Sequence, residues 1–377
     1  MLSLYTLFTC AILAFNIQAY TPLTDDTLRN IPGGAADFDI KTGALLAPIL
    51  IPRVPGTPGS AKVLQHFVDF FTKELPNWTI EYQNSTSKTP GTGDKDVPFV
   101  NLIITRDPPW TQPGNVGRLA LVAHYDSLMN PAGFIGATDS AVPCALIMHA
   151  ARSVDEALTR KWEAMKAEGL GDRELEEEVG VQILLLDGEE AFVSWTDTDS
   201  LYGARSLAET WEATAHPATS TFRSALNSIS LFFLLDLIGA ASPNIPSYFK
   251  TTHWAYQKLA SIESRLRSLS VLQSEADHAF LPDTNKAADS FHSAWTVQDD
   301  HIPFMARGVE VLHIIPTPFP RVWHHMTDDG EHLDMPTVED WAKIVTAFVA
   351  EWMDLEGHFA PAARMHKERS LLEKSEL

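Results

Sequence analysis

The sequence predicts an α/β protein: one domain with a mixed, mainly parallel central sheet and helices on both faces. Three observations carry this expectation. Five short runs are apolar without polar alternation: FVNLIIT (99–105), LALVAH (119–124), VQILLLD (181–187), SLFFLLD (230–236) and VEVLHIIP (309–316). Continuous apolar runs of strand length suit strands buried on both faces. Segments with helical apolar spacing separate them, at roughly 141–168, 203–213, 251–267 and 337–355, and such alternation wraps a sheet in helices. A chain of 377 residues that is 45% hydrophobic and 20% charged also has enough apolar mass for a sizeable single core.

The remaining segments fall around this frame. Residues 1–19, MLSLYTLFTCAILAFNIQA, are apolar from Leu2 to Phe15 and end on small Ala19. They read as a secretory signal peptide, although the usual basic residue near the start is missing. The run is short for a membrane span, so an uncleaved anchor is the lesser reading. Residues 20–58 are rich in Pro and Gly with little periodicity, and are expected to form an N-terminal arm of a catalytic domain spanning 20–360. Residues 60–75 carry helical spacing, while 84–97 are polar with Gly and Pro and read as a loop. The charge-dense stretch 155–180 suggests an exposed helix end and loop. Residues 268–298 form a long irregular segment, of the kind that is functional or mobile in a compact domain. A charged tail, 361–377, is expected to fray.

Forty-nine acidic residues against 28 basic ones give a net charge of -21, with no basic stripe. Nucleic acid is therefore not an expected partner, and the acidity reads as a solvated surface. Of two cysteines, Cys10 lies in the leader, so Cys144 has no intramolecular partner and reads as a buried small hydrophobe. Asn77-Trp78-Thr79 and Asn84-Ser85-Thr86 are glycosylation acceptor patterns that agree with a secretory route.

Polar residues gather where the predicted strands end. LALVA leads into His124-Tyr125-Asp126, VQILLL into Asp187-Gly188-Glu189-Glu190, SLFFLL into Asp236, and VEVLHIIP towards Trp323-His324. Ligands of open α/β sheets bind outside the carboxyl ends of the strands. One strand-end Asp is ordinarily a cap or turn residue; four strands delivering carboxylates and imidazoles to one edge are hard to explain by packing. Consecutive Glu189 and Glu190 can divide labour, one binding a metal and one facing substrate. Three O/N ligands with an open position form the catalytic zinc pattern, though cobalt or manganese would suit the same donors.

The stretches AHYDS (123–127), FIGATDSAVPCA (134–145), LLLDGEEAF (184–192), DSLYGARSLA (199–208), LLDLIGA (234–240), QDDHIPFMARGVEVLHIIPTPFP (298–320) and VWHHM (322–326) resemble the glutaminyl cyclases (glutaminyl-peptide cyclotransferases), which share the zinc-aminopeptidase fold. The resemblance is in order from about residue 119 to 334 and weak before 60 and in 155–180. It implies one zinc held by Asp139, Glu190 and His324, with Glu189 as general acid–base residue. It implies a carboxylate network of Asp236 and Asp299 with Glu189, and a substrate pocket walled by Trp195 and Trp323 and lined by Gln298 and Phe319. The animal secreted enzymes of the family pair a Cys before HYDS with the Cys of SAVPC; here that position is Ala123, which removes a staple without touching the chemistry.

The implied reaction converts N-terminal Gln, and more slowly Glu, of peptides or proteins to pyroglutamate; from Gln it releases ammonia. From the leader the chain is expected to be secreted, with no membrane attachment once residues 1–19 are removed, and it is expected to be a monomer. The rival reading is a two-zinc aminopeptidase, since His124, Asp139, Glu190, Asp236 and His324 could nominally serve two metals. Asp299 diverting Asp236, and two Trp residues narrowing the pocket to one small side chain, favour the cyclase. A non-catalytic binding domain is disfavoured because the ligands and Glu189 are all present. His301 is open between a supporting and a substrate-contact role, His313 reads as a core histidine, and His325 should point away from the metal.

Overall fold

The computed structural model describes residues 21–169, 178–291 and 297–360. The leader, the charged tail and residues 170–177 of the charge-dense stretch lie outside these.

All five apolar runs form strands, joined by one that the pattern did not reveal. They are β1 (Thr79–Lys88), β2 (Asp96–Arg106), β3 (Val116–His124), β4 (Glu178–Leu186), β5 (Ile229–Leu235) and β6 (Val311–Ile314). The sheet order is β1-β2-β4-β3-β5-β6. β1 and β2 are antiparallel, as are β2 and β4, whereas β4, β3, β5 and β6 run parallel. β1 and the start of β2 shorten the loop expected over 84–97 to residues 89–95. β1 is an edge strand with polar side chains, Asn84 and Thr86 among the exposed ones, and its ladder with β2 holds it without an apolar stripe.

The helices are α1 (Asp25–Asn30), α2 (Pro58–Glu74), α3 (Val142–Ala167), α4 (Tyr202–Ala213), α5 (His253–Ser268), α6 (His301–Met305) and α7 (Met335–Trp352). Their ends follow local chemistry. Thr57 caps α2 with Pro58 in its first turn, and the Asp334 carboxylate accepts from Thr337 N at the start of α7.

Alternate residues along β3 face opposite layers. Leu119, Leu121 and Ala123 join α2, α3, α5 and α7 in one core; Ala120 and Val122 join α4 and Phe304 of α6 in another. Apolar continuity in the sequence is thus the mark of a sheet covered twice. The expected arm is woven into the larger core: Leu28, Phe38, Leu45, Leu46 and Ile49 are completely buried. Irregular backbone hides this from any periodicity. α3 also stays buried further than its charge suggested, with Trp162 3% exposed.

Candidate active site

The parallel strands end at one edge. His124 closes β3 opposite Leu186 of β4, and Asp236 follows β5 with its N–H on the Ile314 carbonyl of β6 at 3.0 Å. After β4 the chain turns sharply at Gly188, whose φ is 78° and where a Cβ would lie 2.4 Å from the Phe99 ring. Only glycine fits both demands. The turn delivers Glu189 and Glu190, and Asp126 pins it: its Oδ1 accepts from Glu189 N at 3.0 Å and its Oδ2 from Glu190 N at 3.1 Å. Asp187 instead closes the strand end, accepting from Val100 N at 2.9 Å.

Asp139 reaches the edge from the turn before α3. Gly136 opens that turn with φ 63°, and a Cβ there would stand 2.1 Å from the Asp139 carbonyl oxygen. Asp328 holds the same turn, accepting from Thr138 N at 2.8 Å; burial, then the charge of Asp139, raises its carboxyl to about 7.

Asp139, Glu190 and His324 converge. His324 Nε2 lies 3.6 Å from Asp139 Oδ2 and 3.5 Å from Glu190 Oε2. Ligands at the corners of a zinc tetrahedron with bonds of ~2.0–2.2 Å stand about 3.4 Å apart. Glu190 Oε1 is buried without a hydrogen-bond partner among the described residues. Burial, with Asp139 next to it, holds the Glu190 carboxyl well above its ordinary range. Two crowded carboxylates and an imidazole at this spacing fit a dication, whose charge offsets the repulsion. The His324 backbone is left-handed, φ 57°, a conformation non-glycine residues keep only where surroundings impose it. The Trp323 ring stacks on the imidazole, centroids 3.9 Å apart. His325, its neighbour in sequence, is exposed.

The other oxygen of Asp139 faces a second group. His124 Nε2 lies 3.0 Å from Asp139 Oδ1 and 3.5 Å from Asp236 Oδ1. Asp236 Oδ1 is further engaged by the Ser140 hydroxyl and by Leu237 N at 2.8 Å. Asp299 is tied elsewhere, its Oδ2 to His313 Nε2 at 2.7 Å and its Oδ1 accepting from Asp300 N at 2.6 Å. Among the described residues, Asp236 Oδ1 is thus engaged by Ser140 and Leu237 with His124 nearby, rather than by the expected Asp299. The two carboxylates still feel each other: burial, then Asp236, raises the Asp299 carboxyl. Glu189 is raised well above its usual range by burial; His124 opposes this, and Glu190, Asp299 and Asp300 reinforce it.

Glu189, Glu190, Asp139, Asp236, Trp195, Trp323, His324, Gln298 and Phe319 line one cavity of about 1050 Å³. Trp195 Nε1 donates to Gln298 Oε1 at 2.7 Å, and Phe319 packs edge-on to Trp323 at 4.8 Å. The indoles stand 38% and 36% exposed, and Tyr248 and Lys286 line the same cavity. His313 is the buried, hydrogen-bonded core histidine expected, and its partner is Asp299. One further residue carries a role that no local pattern marks. Asp199 accepts from the N–H groups of Phe192, Val193 and Ser194 at 2.9–3.0 Å and so fixes the loop carrying Trp195. Its place inside the matched stretch DSLYGARSLA was the only signal. His301 lies behind the site, its ring 4.6 Å from that of His313. Cys144 is buried, its thiol on the His124 carbonyl at 3.2 Å and pushed up to about 12 by burial.

A sheet that presents paired carboxylates and histidines at its carboxyl edge defines the class, and the sequence profile of Peptidase family M28 matches residues 103–349. Within it, the chain belongs to the glutaminyl-peptide cyclotransferases. It is 39% identical over 315 residues to the glutaminyl-peptide cyclotransferase of Boiga irregularis, covering 82% of this chain and 80% of that one. It is 37% identical over 337 residues to the glutaminyl-peptide cyclotransferase of Bos taurus, covering 88% and 87%. The crystal structure of Macrostomum lignano glutaminyl cyclase superposes with a TM-score of 0.70 at 30% identity, covering 90% of this chain and 96% of that one.

Proposed function

We propose that this chain is a zinc-dependent glutaminyl-peptide cyclotransferase that converts N-terminal Gln of peptides and proteins to pyroglutamate and releases ammonia. The observation that carries the reading is a buried carboxylate, Glu189, next to the ligand Glu190 in a pocket with aromatic walls. Asp139, Glu190 and His324 would hold one zinc, which when bound supplies Lewis-acid polarisation of the side-chain carbonyl. Glu189 takes a proton from the substrate α-amine as its nitrogen bonds to the side-chain carbonyl carbon. It then gives that proton to the amide nitrogen, whose bond to the same carbon breaks to release ammonia. A carboxylate with a raised pKa can serve in both directions. Asp299, held by His313, and Asp236 keep negative charge near Glu189. Trp195, Gln298, Phe319 and Trp323 hold the substrate end so that amine and carbonyl meet.

A single zinc is supported by the hydrogen bonds that already occupy Asp236 Oδ1. The group of His124, Asp139 and Asp236 is the observation that keeps a two-zinc aminopeptidase as the second reading. We further infer that residues 20–360 act as one catalytic unit, monomeric and secreted after removal of 1–19. Exposed Asn77 and Asn84 support a glycosylated, secreted form. No described helix is long and apolar enough to cross a membrane, and the net charge of -21 argues against nucleic acid. The deciding experiment measures ammonia release from a Gln-initiated peptide before and after chelation, with zinc add-back. Two tightly bound zincs per chain and release of free amino acids would overturn the proposal.

A further inference from the structure

Arg53 lies in the segment read as an arm, far in sequence from every residue of the site, yet it is completely buried. Among the described residues no carboxylate oxygen accepts from its guanidinium; main-chain carbonyls from three places do. Nη1 donates to Ile49 O in its own turn at 3.0 Å, and to Ile135 O. Nε donates to Tyr125 O at 2.7 Å, just after β3. Nη2 donates to Asp126 O at 3.3 Å, Gly136 O at 3.1 Å and Asp139 O at 3.4 Å. Its own N–H donates to the Ser127 hydroxyl at 2.8 Å. Nη1 and Nη2 together hold the turn that carries Asp139. Nε and Nη2 hold the Tyr125–Asp126 segment, and the Asp126 carboxylate pins the N–H groups of Glu189 and Glu190. A planar guanidinium has five donors in fixed directions, so it sets the distance between those two segments as a rigid spacer. A flexible ammonium cannot reach all three.

We propose that Arg53 is a positioning residue for the metal centre, fixing the Asp139 turn against the Glu189–Glu190 turn, so that the arm completes the site. This rests on the ligand set proposed above. The test titrates the zinc-loaded, full-length protein with a competing chelator and compares the parent with Arg53→Lys, which keeps the charge and loses the fork. Partners behind metal ligands typically contribute about ten- to hundredfold in affinity, and a zinc affinity weaker by that factor is expected, with a native circular dichroism spectrum. A fall in kcat larger than any rise in KM should accompany it. Arg106, also buried and paired with Asp155 at 3.2 Å, is the control: Arg106→Met should lower the unfolding temperature and leave zinc affinity unchanged. Zinc affinity of Arg53→Lys within about twofold of the parent overturns the proposal. Should Arg53→Lys fail to fold, Ser127→Ala decides, since it frees the Arg53 backbone without emptying the site; weaker zinc binding supports the role and unchanged binding overturns it. Failure of the ligand set would instead appear in the parent, as zinc affinity unchanged by Asp139→Ala.

Discussion

The layer that packs α3 and α7 on the sheet and the carboxyl edge of the same strands are both buried, but for different ends. In the layer, Leu121, Phe233, Val345 and Phe348 lose water and gain apolar contacts, Phe233 and Phe348 meeting at 4.8 Å. Burial there stabilises directly. At the edge, Asp126, Asp139, Glu189, Glu190, Asp236 and Asp299 are just as inaccessible, and burial works against their charge. Burial pushes Glu189, Glu190 and Asp299 upward in pKa. A residue set that stability alone would not assemble is kept by N–H groups, hydroxyls and Arg53. The comparison teaches that the layer carries the fold and the edge carries the chemistry.

The sharpest way to test this separation is Glu189→Gln. Proton transfer by a positioned group contributes about 10²–10⁴-fold, and a loss of that order in kcat is expected with zinc content unchanged. Because burial disfavours the Glu189 charge, the variant should unfold at the same or a higher temperature; a clear drop in that temperature would break the comparison. Phe348→Ala probes the layer. Removing a buried Phe costs about 3–5 kcal/mol, read as a shifted urea midpoint, while zinc affinity at a temperature where the variant is folded should not move.

Proton linkage separates the regions by sign. Burial lowers His149 of α3 to about 4, so the fold favours its neutral form. Its contribution, about 3 kcal/mol at most, is complete above pH 6.5 and is lost as pH falls to about 4. Asp328 at the edge, raised to about 7, acts oppositely in the chelated protein: its contribution is present at acid pH and lost as pH rises through 7. Urea midpoints of His149→Gln and of the parent should therefore converge as pH is lowered from 7 to 4; parallel curves would refute the assignment. The smallest effect is expected for Trp195→Phe. It removes the bond to Gln298 and keeps the ring, which should raise KM by a few-fold, about 1 kcal/mol, with kcat nearly unchanged.

Much of this was legible in the chain. The strands β2 to β6 announce themselves because a strand covered on both faces has no polar positions to interrupt it. The edge of the sheet could be located because DGEE, LLD and VWHH each follow such a run. β1 was not legible, since its partner on one side only leaves its side chains polar. Nor was the arm, whose buried residues sit on irregular backbone. The sequence by itself determined the fold class, the family and the residue types at the strand ends. Only the tertiary structure decided which of those residues meet: that Asp139 turns one oxygen to His324 and the other to His124, that His313 is bound to Asp299, and that Arg53 ties the arm to the site. Strand register and the turns at Gly136 and Gly188 set those distances, and neither is written as a local pattern.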